Sequence, residues 1–297
     1  MDFQRILTAF PRLKQNELLK NHCTFRVGGP ADLFFEWFKK DDLPALLQFA
    51  QRDGIPYKVI GKGTNTLFTD KGFRGLIIKN MTNGLQIIGN DVIADSGVLL
   101  GQVIKAAVER GLTGLEPLYG VPGSIGAAVW GNAGVPKAQT GNFLKRLTVY
   151  NPHTGAVGPV PREVVEIEYR HTSLQDSDDI IMDVTLGLSK GSTETSKEHM
   201  KEVDEIRRGK QPTGYTAGSF FKNPSLEQPA GWLIDQVGLK GKQIGGAQIS
   251  PKHANFFMNT GTATAADILA LRDLAVEEVQ KKFGITLEME VKIVGER

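Results

Sequence analysis

Gly114, Gly120, Gly123, Gly126, Gly131 and Gly134, with Pro117, Pro122 and Pro136, crowd one stretch of the chain. Such a stretch cannot build a core. It is the composition of backbone that bends sharply or approaches a ligand closely. Any fold must therefore hold this segment between elements that do supply a core, and strand and helix signals stand on both sides. Ala31–Phe38 reads as a strand, and Asp41 as the N-cap of a helix with Leu43, Leu46, Leu47 and Ala50 at helical spacing. Gly54 stops that helix, and Tyr57–Ile60 is a short strand. Leu76–Lys79 and Leu85–Asp95 read as further strands, and Leu99–Arg110 as a helix. Beyond the glycine-rich stretch, strands run to about Leu188. Lys190–Thr195 is a polar linker, and a charged helix covers Lys197–Arg208. Pro229–Val237 is a short helix and Ala265–Phe283 a long amphipathic one. Finally Leu287, Met289, Val291 and Ile293 alternate with Glu288, Glu290 and Lys292, the period of a strand with one apolar face.

At 297 residues, with 40% hydrophobic and 23% charged side chains, the chain is long enough for about two core-forming domains. A net charge of +2 does not announce nucleic acid or an anionic membrane as partner. Cys23 is the only cysteine, which excludes an internal disulfide and a cysteine metal site and fits a reducing compartment. The five histidines show no metal spacing, so no metal is expected. Met1–Glu17 lacks the apolar core of a signal peptide. No run approaches the roughly 18 apolar residues of a membrane span.

Four segments carry chemistry-bearing residues. Gly61-Lys62-Gly63-Thr64-Asn65 follows a strand, and its glycines let N–H groups converge on a diphosphate. It fails the dinucleotide fingerprint, because Thr66 stands where the third glycine belongs. A tight turn explains it equally well. Gly120-Val-Pro-Gly-Ser-Ile-Gly126, followed by Asn132-Ala133-Gly134, is dense enough for a ligand role, against packing alone. Gly218-Ser219-Phe-Phe-Lys222-Asn223-Pro224 exposes a hydroxyl beside a cation and an amide, yet lacks the second glycine of a nucleophile elbow. Tyr169-Arg170 ends a strand with a group able to hold a carboxylate by two parallel bonds. A lone arginine, or two glutamates on a strand, are more often solvated surface. His253, in Ser250-Pro-Lys-His-Ala-Asn255, is the only histidine in a motif-like setting.

Together these segments resemble one family, the UDP-N-acetylenolpyruvoylglucosamine reductases (MurB), shorter subtype. The resemblance begins at Asn21-His-Cys-Thr-Phe-Arg-Val-Gly-Gly29 and passes through Gly61–Asn65, Glu116–Gly123, Asn132–Gly134, Tyr169-Arg170 and Gly218–Pro224. It ends with Gly238-Leu-Lys-Gly241 and Leu287-Glu-Met-Glu-Val291. Each motif is unspecific; their order along nearly the whole chain is not. Thr64 and Thr172 replace serines common in the family.

The resemblance implies an α+β chain with a flavin fold of the vanillyl-alcohol-oxidase type. Two FAD-binding subdomains are expected, residues 1–80 completed by a returning C-terminal strand 286–297, and residues 81–190. A separate α+β substrate-binding domain is expected over 197–285. It implies a cytoplasmic oxidoreductase with non-covalent FAD and NADPH as co-substrate. The enzyme would reduce a UDP-linked enolpyruvyl sugar for peptidoglycan synthesis, and so serve cell-wall biogenesis, cell shape and division. Its partners would be the UDP-sugar and NADPH, with no nucleic acid and no membrane; nothing in the pattern sets an oligomeric state. Arg170, Ser219 and Glu290 take the catalytic positions. Gly61, Lys62, Gly63, Thr64, Asn65, Gly120, Pro122, Gly123, Ser124, Gly126, Asn132, Ala133 and Gly134 take the cofactor. Arg207, Lys210, Lys222, Asn223 and His253 take the substrate. A covalent-flavin oxidase of the same fold is disfavoured, because no histidine lies within 61–65 or 114–136. A nucleotide-sugar binding protein without catalysis is disfavoured by the three catalytic positions.

Overall fold

After the short helix α1, Gln4–Ala9, Leu43, Leu46, Leu47 and Ala50 recur at helical spacing, and all four are fully buried on one face of helix α2, Asp42–Arg52. Burying each leucine contributes about 1.5–3 kcal/mol, far more than any cap. Asp41 does occupy the N-cap position, but its side chain makes no capping bond. The helix opens instead on a backbone turn from Asp42 N–H to the Lys39 carbonyl. Gly54, at φ 64°, ends it in the left-handed region that favours glycine.

The computed structural model describes residues 3–136 and 138–296, and the chain divides into two compact units. The first comprises Met1–Lys14, Phe34–Lys62 and Leu76–Arg207. The second comprises Gln15–Leu33, Gly63–Gly75 and Arg208–Arg297. The division falls inside two strands, Pro30–Trp37 and Phe73–Asn80.

The first unit is built on a five-stranded sheet in the order Val157–Pro161, Leu144–Tyr150, Ile180–Gly187, Asp91–Asp95, Leu85–Ile88. Every neighbouring pair in it is antiparallel. The expected strand Leu85–Asp95 is therefore two strands of a hairpin, with Gly89 at φ 59° in the turn. The apolar phase shifts across Gly89-Asn90, a two-residue hairpin signal that a single strand over 85–95 passes over. Helices α3, Leu100–Glu109, and α4, Ile125–Trp130, pack against this sheet. Val92, Val103, Ile104, Ile125, Leu147 and Val184 form the buried centre. A parallel pair, Tyr57–Ile60 with Leu76–Lys79, also belongs to this unit. Helix α5, Thr193–Lys210, begins within the expected linker 190–195. Ser192 explains the earlier start, since its hydroxyl accepts the Thr195 N–H at 3.3 Å.

In the second unit a three-stranded antiparallel sheet, Gln243–Ile244, Ala247–Ile249 and Phe257–Asn259, packs against helix α7, Ala265–Phe283. Helix α6, Ala230–Gln236, contacts α7. All the free N–H groups at the start of α7 that bear on its anchoring find partners. Asp70 accepts from Ala265 and Ala266 at 2.8 and 3.0 Å, and Thr264 and Asp267 form a reciprocal capping box. The C-terminal segment is a regular strand only over Lys292–Val294, parallel to Thr66–Phe68. Upstream, Leu287 and Val291 are buried and Glu288 exposed, as the alternation predicted. However, this part forms only a local bridge, Met289 with Phe221. Phe220, stacked on Phe257 at 4.4 Å, is buried beneath the bridge.

Candidate active site

In the first unit the glycine-rich stretch folds as a turn entering α4. Gly120 (φ 80°) and Gly123 (φ 121°) take conformations closed to other residues at low cost. A Cβ at Gly126 would lie 2.4 Å from Ser96 Cβ, so only glycine lets α4 approach that close. A Cβ at Gly61 would lie 2.8 Å from Ser124 Oγ and 3.3 Å from Ala127 Cβ. The two glycine segments therefore touch. Gly120 and Pro122 are exposed, Ser124 is buried at the N-cap of α4, and Gly134 pairs with Gln139. Ala133 is fixed through both main-chain groups, to Ala128 and Thr140. Lys62 turns its ammonium to the Asn80 carbonyl (3.3 Å) and the Met81 sulfur (3.4 Å). Burial, then the nearby Lys79 charge, pushes it below the ordinary lysine range.

The side chain of Asn132 is fully buried and committed inside the protein. Its Nδ2 donates to Gln139 Oε1 (2.9 Å) and the Glu168 carbonyl (2.6 Å), and its Oδ1 accepts from Gly141 N–H (3.1 Å). It thus ties the glycine-rich segment to the hairpin of Ile167–Glu168 and His171–Thr172, whose two-residue loop is Tyr169-Arg170. Arg170 sits at φ 57° with its guanidinium 5.1 Å from the Tyr169 ring. A left-handed arginine is uncommon, and such strain clusters at functional sites. Arg207, half-buried, lies against Gly120: a Cβ there would meet its Cδ and Nε at 3.1 Å. The structure thus brings Arg207 to the segment expected to take the cofactor. Burial lowers its pKa.

The second unit joins Ser219, Glu290 and Asn65. Glu290 N–H donates to the Phe220 carbonyl (2.9 Å), and Asn65 Nδ2 donates to the Glu290 carbonyl (3.1 Å). Lys292 N–H returns to the Asn65 carbonyl at 3.0 Å. Ser219 itself bridges to Phe256. Gly63, at φ 68°, presses on the His22-Cys23 backbone, and its carbonyl accepts from Thr24 N–H at 3.0 Å. Thr64 is half-buried beside it. Three stretches far apart in sequence, 63–65, 219–222 and 288–292, thereby share one hydrogen-bonded framework.

A pocket of ≈290 Å³ opens in this unit, lined among others by Ser219, Asn223, Trp232, Lys240, Lys252 and His253. His253 Nδ1 accepts from Asn255 N–H at 3.2 Å, so the neutral ring carries its proton on Nε2. Burial, aided by the Lys240 charge, keeps this imidazole below its ordinary pKa and neutral. Asn223 Oδ1 accepts the first N–H of α6, from Ala230, at 3.1 Å. The ammonium of Lys222 is ion-paired to Glu288 at 2.5 Å, outside that lining. Lys210 is exposed at the end of α5.

Several contributors escaped the sequence reading. Asn255, almost fully buried, holds Phe221 through both backbone groups, at 2.9 and 2.8 Å. It stands two residues past His253 in a motif already noted, and a buried asparagine there was the available signal. Trp232, Asp235 and Lys240 reach the pocket from α6 and the turn after it, where nothing in the pattern marked them. Glu116, 2% exposed, accepts from Thr113 Oγ1 and Gly114 N–H at 2.7 Å each, and from Ser196. Among the described residues no acidic, histidine or cysteine cluster is arranged to hold a metal.

The FAD implied by the resemblance fits this donor set. Two glycine turns meet at Gly61 and Ser124, and their glycines carry no Cβ to hold a diphosphate off the main chain. No histidine or cysteine lies in either loop to form a tether. Residues 31–157 match the family model described as "FAD binding domain", which makes the α+β fold one of the FAD-binding, vanillyl-alcohol-oxidase type. Residues 211–294 match the model described as "UDP-N-acetylenolpyruvoylglucosamine reductase, C-terminal domain". The chain is 37% identical to the UDP-N-acetylenolpyruvoylglucosamine reductase of Clostridium novyi, over 96% of this chain and 92% of that one. It is 40% identical to that of Pelobacter propionicus, over 96% of each. The crystal structure of the enzyme from Thermus caldophilus superposes with a TM-score of 0.81 at 34% identity, covering 95% of this chain and 98% of that chain. The chain belongs to the UDP-N-acetylenolpyruvoylglucosamine reductase family.

Proposed function

We propose that this protein is a cytoplasmic, FAD-dependent reductase that uses NADPH to convert the enolpyruvyl ether of a UDP-N-acetyl sugar to its lactyl ether, in peptidoglycan precursor synthesis. The observation that carries the reading is the hydrogen-bonded framework linking Asn65, the Ser219-Phe220 segment and Glu290, on a chain similar to these reductases along nearly its full length. No described helix is long and apolar enough to cross a membrane.

FAD, when bound, supplies hydride transfer from NADPH to the terminal carbon of the enolpyruvyl group. The chain's own groups do the rest. Arg170 meets the charge that accumulates on the substrate carboxylate. Glu290 assists as a neutral acid, because a second anion beside that carboxylate would repel it. Ser219 delivers the proton to the neighbouring carbon, a strong base that a positioned hydroxyl can quench where water is excluded. Main chain at Gly61–Asn65, Gly120–Gly126 and Asn132–Gly134 holds the cofactor non-covalently. Lys210, Lys222, Asn223 and His253, with Arg207, serve the diphosphate and sugar. The subdomain division into 1–80 with 286–297, 81–190 and 197–285 belongs to the same proposal. The pairing of Lys292–Val294 with Thr66–Phe68 supports returning the C-terminal strand to the first third.

Anaerobic titration tests the reading. NADPH should bleach the flavin absorbance, and the enolpyruvyl UDP-sugar should restore it. Bleaching without recovery would sink the substrate assignment.

A further inference from the structure

Arg170 is held in a left-handed conformation at the second position of a two-residue hairpin loop, where φ is 57°. Glycine usually fills such a position, and a larger residue is strained there. The surroundings must over-determine the conformation. Asn132 Nδ2 grips the Glu168 carbonyl just before the loop, and Thr172 Oγ1 donates to the Trp130 carbonyl just after it, at 2.8 Å. Gln175 reaches the loop itself. Its Nε2 donates to the Arg170 carbonyl at 3.2 Å and to the Trp130 carbonyl at 3.1 Å. A primary amide has two N–H groups, so one nitrogen serves both acceptors. The strained peptide of Arg170 is thereby laced to the C-terminal turn of α4, the helix that the glycine-rich segment enters.

We propose that Gln175 is a positioning residue for the reduction: its amide holds the left-handed Arg170 peptide against α4 and so sets where the guanidinium meets the substrate carboxylate. This rests on the reading of Arg170 as the carboxylate clamp. Glutamate cannot replace Gln175, because a carboxylate offers no donor and would face two carbonyls. Half-exposed, Gln175 lies at the edge of the hairpin, outside the core centre described above.

The test uses the FAD-loaded full chain with Gln175→Ala and Gln175→Glu, each also in an Arg170→Ala background. In stopped flow, recovery of flavin absorbance on adding the enolpyruvyl substrate should slow about 10- to 100-fold, the scale of a misplaced catalytic group. Bleaching by NADPH should stay within about twofold. In the Arg170→Ala background, Gln175→Ala should add no further loss, since coupled residues fail to add. Calorimetry gives a second readout. Gln175→Ala should weaken binding of the lactyl product several-fold and leave UDP-N-acetylglucosamine, which lacks that carboxylate, unchanged. Equal loss in both half-reactions, a loss that persists without Arg170, or wild-type behaviour of Gln175→Glu each overturns the inference. Should Arg170→Ala alone leave recovery intact, the Arg170 reading fails and the inference falls with it.

Discussion

Ser219, Arg170 and Glu290 act on one carbon and one carboxylate in the proposed chemistry, and single substitutions separate their roles. Ser219→Ala should leave bleaching by NADPH near normal and lower turnover about 100-fold or more, the usual scale of acid–base catalysis. Equal loss in both steps would point to damage at the cofactor instead. Arg170→Lys should not restore activity, because lysine keeps the charge and loses the planar fork; near-wild-type rates would remove the bidentate clamp. Glu290→Gln should be milder than Glu290→Ala, since glutamine keeps the shape and a donor. Steady-state rates across pH compare the two, and a silent Glu290→Gln beside a crippling Glu288→Gln would shift the assignment along the segment. Glu288 carries an exposed carboxylate paired with Lys222. Its loss should cost no more than about 1 kcal/mol, as for other largely exposed pairs.

Among the elements, α7 shows how a helix is anchored by chain that is remote in sequence. Thr264 accepts the Asp267 N–H, Asp267 returns the bond to Thr264, and Asp70 takes the two intervening N–H groups. Thr264→Ala should lower stability by about 1 kcal/mol, read as a shift in urea midpoint at unchanged slope. A shift of zero would mean that Asp70 alone suffices. At α4 the geometry is stricter. Gly126→Ala would drive a methyl into Ser96, with its backbone carbonyl 2.9 Å from the new carbon. The expected outcome is loss of bound flavin on gel filtration, before any change in the family-specific chemistry can be measured.

For the molecule as a whole, acid should be the weak side. Burial alone would raise the Glu116 carboxyl, but hydrogen bonds from Ser196, Thr113 and the Glu116 and Gly114 N–H groups outweigh it and hold it below its ordinary 4.5. Burial likewise keeps His253 below its ordinary 6.5. Both folded-state values are depressed, so the unfolded chain binds more protons as pH falls. The stabilisation from His253 is present above pH 6.5 and fades as pH drops towards its folded value. That from Glu116 is present above pH 4.5 and fades below. Urea midpoints measured from pH 8 to pH 4 should therefore decline on the acid side. Glu116→Gln should destabilise at pH 7 and differ less from wild type as pH falls below 4.5. A difference that grows with acid would contradict the assignment.

Helix α2 and the bounds of α7 were legible because each buries its own periodic face, and that burial outweighs local competition. The ordered motifs likewise marked the glycine segments and Arg170, Ser219 and Glu290. Other features depended on partners far along the chain. At Gly89-Asn90 the turn signal was present in the sequence but outweighed by the apolar residues on either side, and the pairing of Ile88 with Asp91 shows the hairpin of 85–95. Alternation at Leu287–Val291 predicted the burial of Leu287 and Val291 and the exposure of Glu288, but Met289 and Glu290 are both half-buried and the strand is not continuous, because Phe220 and Asn65 take the backbone bonds that a neighbouring strand would have taken. The family pattern offers Lys62 to the cofactor and Lys222 to the substrate; in the fold the Asn80 carbonyl and Glu288 engage them. Gln175 carried no signal at all, since its role exists only where the Arg170 peptide and the end of α4 come within reach of one amide nitrogen. Residue type and spacing determine which groups a chain can offer. Which of those groups remain available for chemistry is decided by the hydrogen bonds that tertiary structure closes first.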